Sequence, residues 1–331
     1  MNRFISLTLC FLMIFPLFSC GKSHDHTYGE WETKKQASCS EAGQMERKCT
    51  ACDKVETQPI AIDPAAHVIE NDTCTLCGTE ICNHLIYDYN ADFASCYIFG
   101  IERSCKHTDI YIPDSFEDKP VTALNKSLFE GHSHITSLRL PDTVSVINAR
   151  AFVRCGFENL TLPASLTVIE DYAFNMCQNL KSIVIPDSVT KIGNGAFTGC
   201  LVLAEVTLPK NLTAIAENTF CNTAISEIVI PDKVSVIGTC AFEGCGELKS
   251  VTLPKNLKKI GYMAFMNCDS LSELSIPKSV TEIGENALYS IQTIRYEGTK
   301  AEWEAIELGL WNHEITCTVI CSDGEIVYNI D

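Results

Sequence analysis

Positive charge is scarce in this chain. Its 331 residues hold 25 Lys and Arg against 42 Asp and Glu, a formal net charge of −17. Phosphate backbones are gripped by clustered Lys and Arg, so nucleic acid is excluded as a partner. An anionic membrane surface repels a chain of this sign as well. Beyond residue 18 no apolar run reaches the roughly 20 residues that a spanning helix needs. The spacings G-x-S-x-G, G-x-x-x-x-G-K-[ST] and H-E-x-x-H are also missing. These are the patterns that expose a serine nucleophile, cradle a phosphate or hold a catalytic zinc. No catalytic residue and no catalytic cofactor is therefore expected.

What is present begins with a targeting segment. Arg3 gives a positive start, and residues 4–18 are mainly apolar but too few to span a bilayer comfortably. The segment closes with Leu17-Phe18-Ser19-Cys20-Gly21. This resembles the lipobox of bacterial lipoproteins, in which the Cys is lipidated and becomes the first mature residue. Leu17 and Ser19 fit that pattern, while Phe18 is bulkier than the usual small residue. The resemblance implies a signal peptide over residues 1–19, lipidation at Cys20 and contact with the membrane through lipid alone. An ordinary signal peptide with a chance Cys is the alternative.

With 46% hydrophobic residues, the remainder can bury a sizeable core. Its organisation is periodic. An Ile/Leu-Pro step recurs at Pro141, Pro163, Pro186, Pro209, Pro231, Pro254 and Pro277, with an earlier copy at Pro113. A second landmark, usually Ala-Phe, recurs at Phe129, Phe152, Phe174, Phe197, Phe220, Phe242 and Phe265, and as Ala-Leu at Leu288. From Phe129 and Pro141 onward both series advance by 22 or 23 residues. Two landmarks with one period predict a solenoid, because one copy cannot cover its own apolar face and stacked copies can. Within a copy, Ser182-Ile183-Val184-Ile185 alternates as a strand does and Pro186 ends it. Val189 and Ile192 turn back along the core, and Ala196-Phe197 opens a short helical or 3₁₀ turn.

Cysteine is abundant, with 19 in all. Cys155, Cys177, Cys200, Cys245 and Cys268 each stand three residues after the repeat's Phe. Neighbouring coils lie about 4.8 Å apart, so distance alone permits pairing. Equivalent positions, however, point their side chains the same way, and a disulfide needs converging Cβ vectors. These five are read as a ladder of buried structural thiols whose weak S–H donors can reach backbone carbonyls. Redox or metal chemistry is the alternative.

The pattern resembles the BspA-like leucine-rich repeat found in bacterial surface proteins. The likeness covers about residues 85–331 and implies a predominantly β solenoid, with short parallel strands on a concave face and 3₁₀ or short helical turns on the convex side. Residues 83–128 resemble that family's N-terminal hairpin and cap, residues 129–296 its repeats and residues 297–331 its C-terminal cap. Caps are needed because end coils expose apolar faces and strand edges. Residues 302–310, with Trp303, are expected to form a capping helix. The resemblance implies attachment to host proteins, cells or other microbes.

The outward strand residues form two columns. One contains Arg139, Thr161, Val184, Thr207, Val229, Thr252, Ser275 and Arg295; the other includes Glu205, Glu227 and Glu273. Stacked carboxylates can share a cation or meet a basic ligand, and a solvated sheet face is the bland reading. These columns hold no His, Cys, Asp or aromatic residue. That argues against a sugar platform or a hydrolase.

Residues 20–82 do not follow the repeat. They hold Cys49-x₂-Cys52 and Cys74-x₂-Cys77 among other Cys and His. That spacing resembles a zinc ribbon, whose paired thiolates hold a structural metal and leave no position for substrate. Export favours disulfides instead, and a loosely ordered stalk is the third reading. A segment this short needs some staple to fold. The expected function is a non-enzymatic surface lipoprotein that binds a macromolecule, in the first place a protein. The alternative is an envelope scaffold with structural zinc and no host ligand.

Overall fold

The computed structural model describes residues 28–35, 43–50, 54–60, 69–70, 73–74, 85–91, 93–102, 105–309 and 317–328. The chain divides into two compact units, Met1–Glu80 and Ile81–Asp331. The first contains a three-stranded antiparallel sheet of Glu32–Lys35, Gly43–Lys48 and Val55–Ile60, and a hairpin of Ile69–Glu70 with Thr73–Cys74. The sheet has little apolar surface to bury. Its anchor is Arg47, whose guanidinium lies 4.8 Å from the Tyr28 ring and 4.6 Å from the Trp31 ring. Arg47 also donates to Glu56 from Nε at 2.9 Å and from Nη2 at 2.6 Å. The fork binds one carboxylate oxygen while its planar face meets the aromatics, as only Arg can do.

The second unit is a solenoid. It opens with an antiparallel hairpin, Leu85–Tyr89 and Cys96–Ile101. Most later coils contribute a front strand, a two-residue side strand and an outer turn; the coil at Asn159 has a single bridge in place of its front strand. Front strands include Asp109–Tyr111, Ser137–Arg139, Ser182–Val184, Glu205–Thr207, Glu227–Val229, Ser250–Thr252 and Glu273–Ile276. Side strands include Val146–Ile147, Val168–Ile169, Lys191–Ile192, Ala214–Ile215, Val236–Ile237 and Lys259–Ile260. Where neighbouring strands of either set pair, they pair in parallel.

The outer turns are not helical. In each, the residues two before and two after the Phe have positive φ, as at Tyr172 (58°) and Met176 (57°) around Phe174. That breaks helical propagation. Bonds to the residue three back, such as Ala173 N–H to Glu170 O, alternate with bonds to the next coil, such as Phe174 N–H to Ala196 O at 2.8 Å. The turns thus form a third intercoil ladder, which runs without interruption from Phe129 to Phe265. Gly195 and Gly199 supply two of its left-handed positions. The flat Tyr172 ring lies where a Cβ on Gly195 would stand, and a Cβ on Gly199 would press on the Met176 chain.

Inside the turns the aromatic rings stack. From Phe129 to Phe265 successive centroids are 5.1–5.7 Å apart. Each ring is almost wholly buried, and such offset pairs add about 0.5–1.5 kcal/mol beyond area burial. At the C-terminal end the helix is Lys300–Glu304, earlier and shorter than the 302–310 expected. The Thr299–Glu302 capping box starts it. It stops because Glu307–Leu308 pairs as a side strand with Glu282–Ile283. Trp303 is fully buried, meets Tyr296 edge-on at 5.3 Å and donates from Nε1 to Tyr328 Oη at 3.1 Å.

The front ladder is less regular than the turns. It lacks pairing between Ser137–Arg139 and the strand position at Asn159, and between Glu205–Thr207 and Glu227–Val229. Both gaps fall at 22-residue steps, where one residue fewer separates the turn from the next strand. A third gap, between Ser250–Thr252 and Glu273–Ile276, falls at a 23-residue step.

Candidate functional site

The front strands place alternate side chains outward because a strand repeats every two residues. Thr161, Val184, Thr207, Val229, Thr252, Ser275 and Arg295 are exposed, and Arg139 is half-buried. Val184 and Val229 keep 66% and 67% of their surface. Such exposure is uncommon for an apolar side chain on a regular sheet, and nothing in this coil covers it. Glu205, Glu227 and Glu273 are exposed in the second column.

The three carboxylates do not act alike. Glu273 is held by Arg295, with Nε to Oε1 at 2.6 Å and Nη2 to Oε2 at 3.0 Å. Arg295 keeps the Glu273 carboxyl below the usual carboxylate range. Glu205 and Glu227 begin the two strands on either side of an unpaired step. A groove of about 720 Å³ lies here, with Thr207, Lys210, Glu227, Val229 and Lys233 among its walls. Lys210 bonds Asp187 at 2.9 Å, and Lys233 bonds Asn211 at 2.7 Å.

The face also extends one coil further than expected. Asp109 and Tyr111 pair in register with Ser137 and Arg139. The Arg139 guanidinium lies 5.4 Å from the Tyr111 ring. The columns therefore do contain an aromatic residue and an Asp, contrary to the reading from the repeats alone. The 28-residue step from Asp109 to Ser137 hid them from a 22–23-residue period.

The five repeat thiols are buried and free. Each donates to the Phe carbonyl of the preceding coil: Cys155 to Phe129 at 3.3 Å, Cys177 to Phe152 at 3.0 Å, and Cys200 to Phe174, Cys245 to Phe220 and Cys268 to Phe242 at 3.1 Å each. Burial raises the pKa of Cys155, Cys177, Cys245 and Cys268. Off the ladder, burial lifts Cys221 to about 11, and burial with the nearby Glu243 carboxylate lifts Cys240 to about 12. A thiol held protonated is a poor nucleophile and a poor metal ligand.

Of the residues assigned to a metal, Cys49 is buried. Cys74 is described in its backbone alone, in the strand Thr73–Cys74. Cys52 and Cys77 lie outside the described residues, as does Cys20. Among the described residues no three His, Cys, Asp or Glu side chains are grouped to hold a metal ion. No helix of the described residues is long and apolar enough to cross a membrane.

A parallel, stacked repeat with an open strand face and an inward apolar ladder defines a leucine-rich-repeat solenoid. The family described as "BspA type Leucine rich repeat region (6 copies)" matches residues 97–224 and 213–307, and the chain belongs to it. No curated protein matches the chain. A solved leucine-rich repeat protein from Bacteroides ovatus ATCC 8483 is 22% identical over 73% of this chain and 70% of that one, with a TM-score of 0.59. It shares the fold. The solved T. pallidum Leucine Rich Repeat protein is 23% identical over 57% of this chain and 88% of its own, with a TM-score of 0.43.

Proposed function

We propose that this chain is a non-enzymatic bacterial surface protein, exported and lipid-anchored through Cys20, that binds a protein through its front strand face. The exposure of Val184 and Val229 carries this reading. Two β-branched side chains stand in water on two neighbouring parallel ladders, Val184 beside Thr207 and Val229 beside Thr252, with Glu205 and Glu227 in the same strands. Rigid strands present such groups with little conformational entropy left to lose on binding. The family is a repeat scaffold, and the lipobox resemblance and the apolar start support export and anchoring. An envelope scaffold with structural zinc in the Cys-rich front is the second reading, supported by the paired C-x₂-C spacing.

The test uses purified chain immobilised and probed by surface plasmon resonance with a panel of matrix proteins and purified envelope proteins. Binding that is lost on Val184→Lys with Val229→Lys, with the circular dichroism spectrum unchanged, supports the face. A bound protein whose affinity ignores both substitutions and the change of Glu205 and Glu227 to Gln places the contact elsewhere and sinks the reading.

A further inference from the structure

We infer that the coil spanning residues 205–223 is a hinge, at which the solenoid divides into two cooperative blocks. Several independent features meet there. Its side strand, Ala214–Ile215, pairs with Val236–Ile237 but not with Lys191–Ile192 before it. Its front strand, Glu205–Thr207, pairs with Ser182–Val184 but not with Glu227–Val229 after it. Among the described repeat coils, this is the one that loses a different ladder on each side.

The side chains repeat the pattern. Where the other coils from Phe152 to Phe265 place Ala before the Phe, this coil has Thr219, and where they place Cys three residues after it, this coil has Thr223. These are two of the three buried polar residues among those described. Their hydroxyls donate within their own coil, Thr219 to Ala216 O and Thr223 to Phe220 O, both at 2.9 Å, and Thr223 also meets Cys245 Sγ of the following coil at 3.3 Å, so neither reaches the preceding coil. Every ladder thiol instead reaches the preceding coil. The junction with the preceding coil therefore lacks both its side ladder and the buried thiol clasp, and its side-chain links are surface ones such as Lys210 and Asn211 to Asp187. On the other side the front ladder is missing, and the groove lined by Thr207, Glu227 and Val229 lies there.

What remains continuous is the outer turn. Phe197 N–H donates to Thr219 O and Phe220 N–H to Ala241 O, both at 2.9 Å. The rings of Phe197, Phe220 and Phe242 stay stacked at 5.6 and 5.5 Å. With one ladder missing on each side, the turn bonds carry more of each junction, and opening of the joint strains and breaks them. The motion widens the groove between Thr207 and Val229. Stability in a solenoid is a sum of coil and interface contributions, so a coil weak at both interfaces is where cooperativity divides.

Hydrogen–deuterium exchange on the whole chain, without ligand, tests this. The amides of Phe197 and Phe220 occupy the same position as those of Phe152 and Phe242 and make bonds of the same length within 0.1 Å. We expect the first two to exchange about tenfold faster or more. Thr219→Ala with Thr223→Cys should return them to the rate of their neighbours. The reverse transplant, Ala173→Thr with Cys177→Thr, should speed exchange at Phe152 and Phe174. Equal rates across the four amides in the unmodified chain, or rates untouched by the restoring pair, overturn the hinge. Neither outcome depends on a ligand, so the hinge and the binding face fail separately.

Discussion

The outer turns and the front strands belong to the same coils, yet they are built to different standards. The turn ladder is unbroken, its Phe rings are stacked and its thiols are clasped to the coil before. The front ladder is broken at three steps, and its outward side chains vary from Val to Glu to Arg. The contrast separates two tasks. The turn side repeats because each coil must cover the next, and a change there is felt by two interfaces. The front side varies because its outward groups touch few neighbours, so their identity costs the fold little.

Three interventions break or sharpen that contrast. The largest effect is expected from alkali. Folded thiols on the turn side have raised pKa values, whereas those of the unfolded chain ionise near the ordinary value of 9.0. Above that pH the unfolded chain has released protons that the folded chain retains, so the unfolded state binds fewer and stability falls as pH rises. The stability is complete below about pH 8.5 and is lost progressively through the folded values of about 11 and about 12 at Cys221 and Cys240. Urea midpoints taken from pH 7 to pH 11 should be flat and then decline; a midpoint steady to pH 11 contradicts burial of these thiols as protonated groups. Next comes Phe197→Ala, which removes a ring from the middle of the stack and should cost about 3–5 kcal/mol in urea unfolding. The smallest effect is Thr207→Ala on the front, expected within about 0.5 kcal/mol. Equal costs for Phe197→Ala and Thr207→Ala would erase the distinction between the two sides.

Much of this contrast was legible in the sequence. The Pro and Ala-Phe landmarks located the strands and turns, and alternation around Ile183 and Val184 assigned inside and outside. The left-handed residues of the turns were not legible, because Tyr, Met, Arg and Asn occupy positions where glycine would have signalled positive φ. Asp109 and Tyr111 were hidden by an irregular step before the regular ones. The breaks in the front ladder left only a one-residue shortening as a trace, and their effect depends on which backbone groups still reach each other. Glu273 illustrates the same limit. It reads as one carboxylate of three, and only the fold shows that Arg295 has taken it.

The surface ion pairs follow the coil logic without carrying it. Lys181 with Glu158, Lys191 with Glu170 and Lys259 with Glu282 each join adjacent coils. Being largely exposed, each contributes about 0–1 kcal/mol and less in salt. They tune the spacing that the buried ladders set.

The thiol clasp has a further consequence because it points one way. Each sulfur reaches back to the carbonyl of its predecessor and asks nothing of its successor. A coil copied into the array arrives with its own donor and finds an acceptor waiting, while offering its own carbonyl to whichever coil follows. The array can therefore lengthen or shorten by whole coils without stranding a polar group in the core. Such a chain is open to growth by duplication anywhere between its caps, and the 22- and 23-residue steps mark the size of the piece that would be gained or lost.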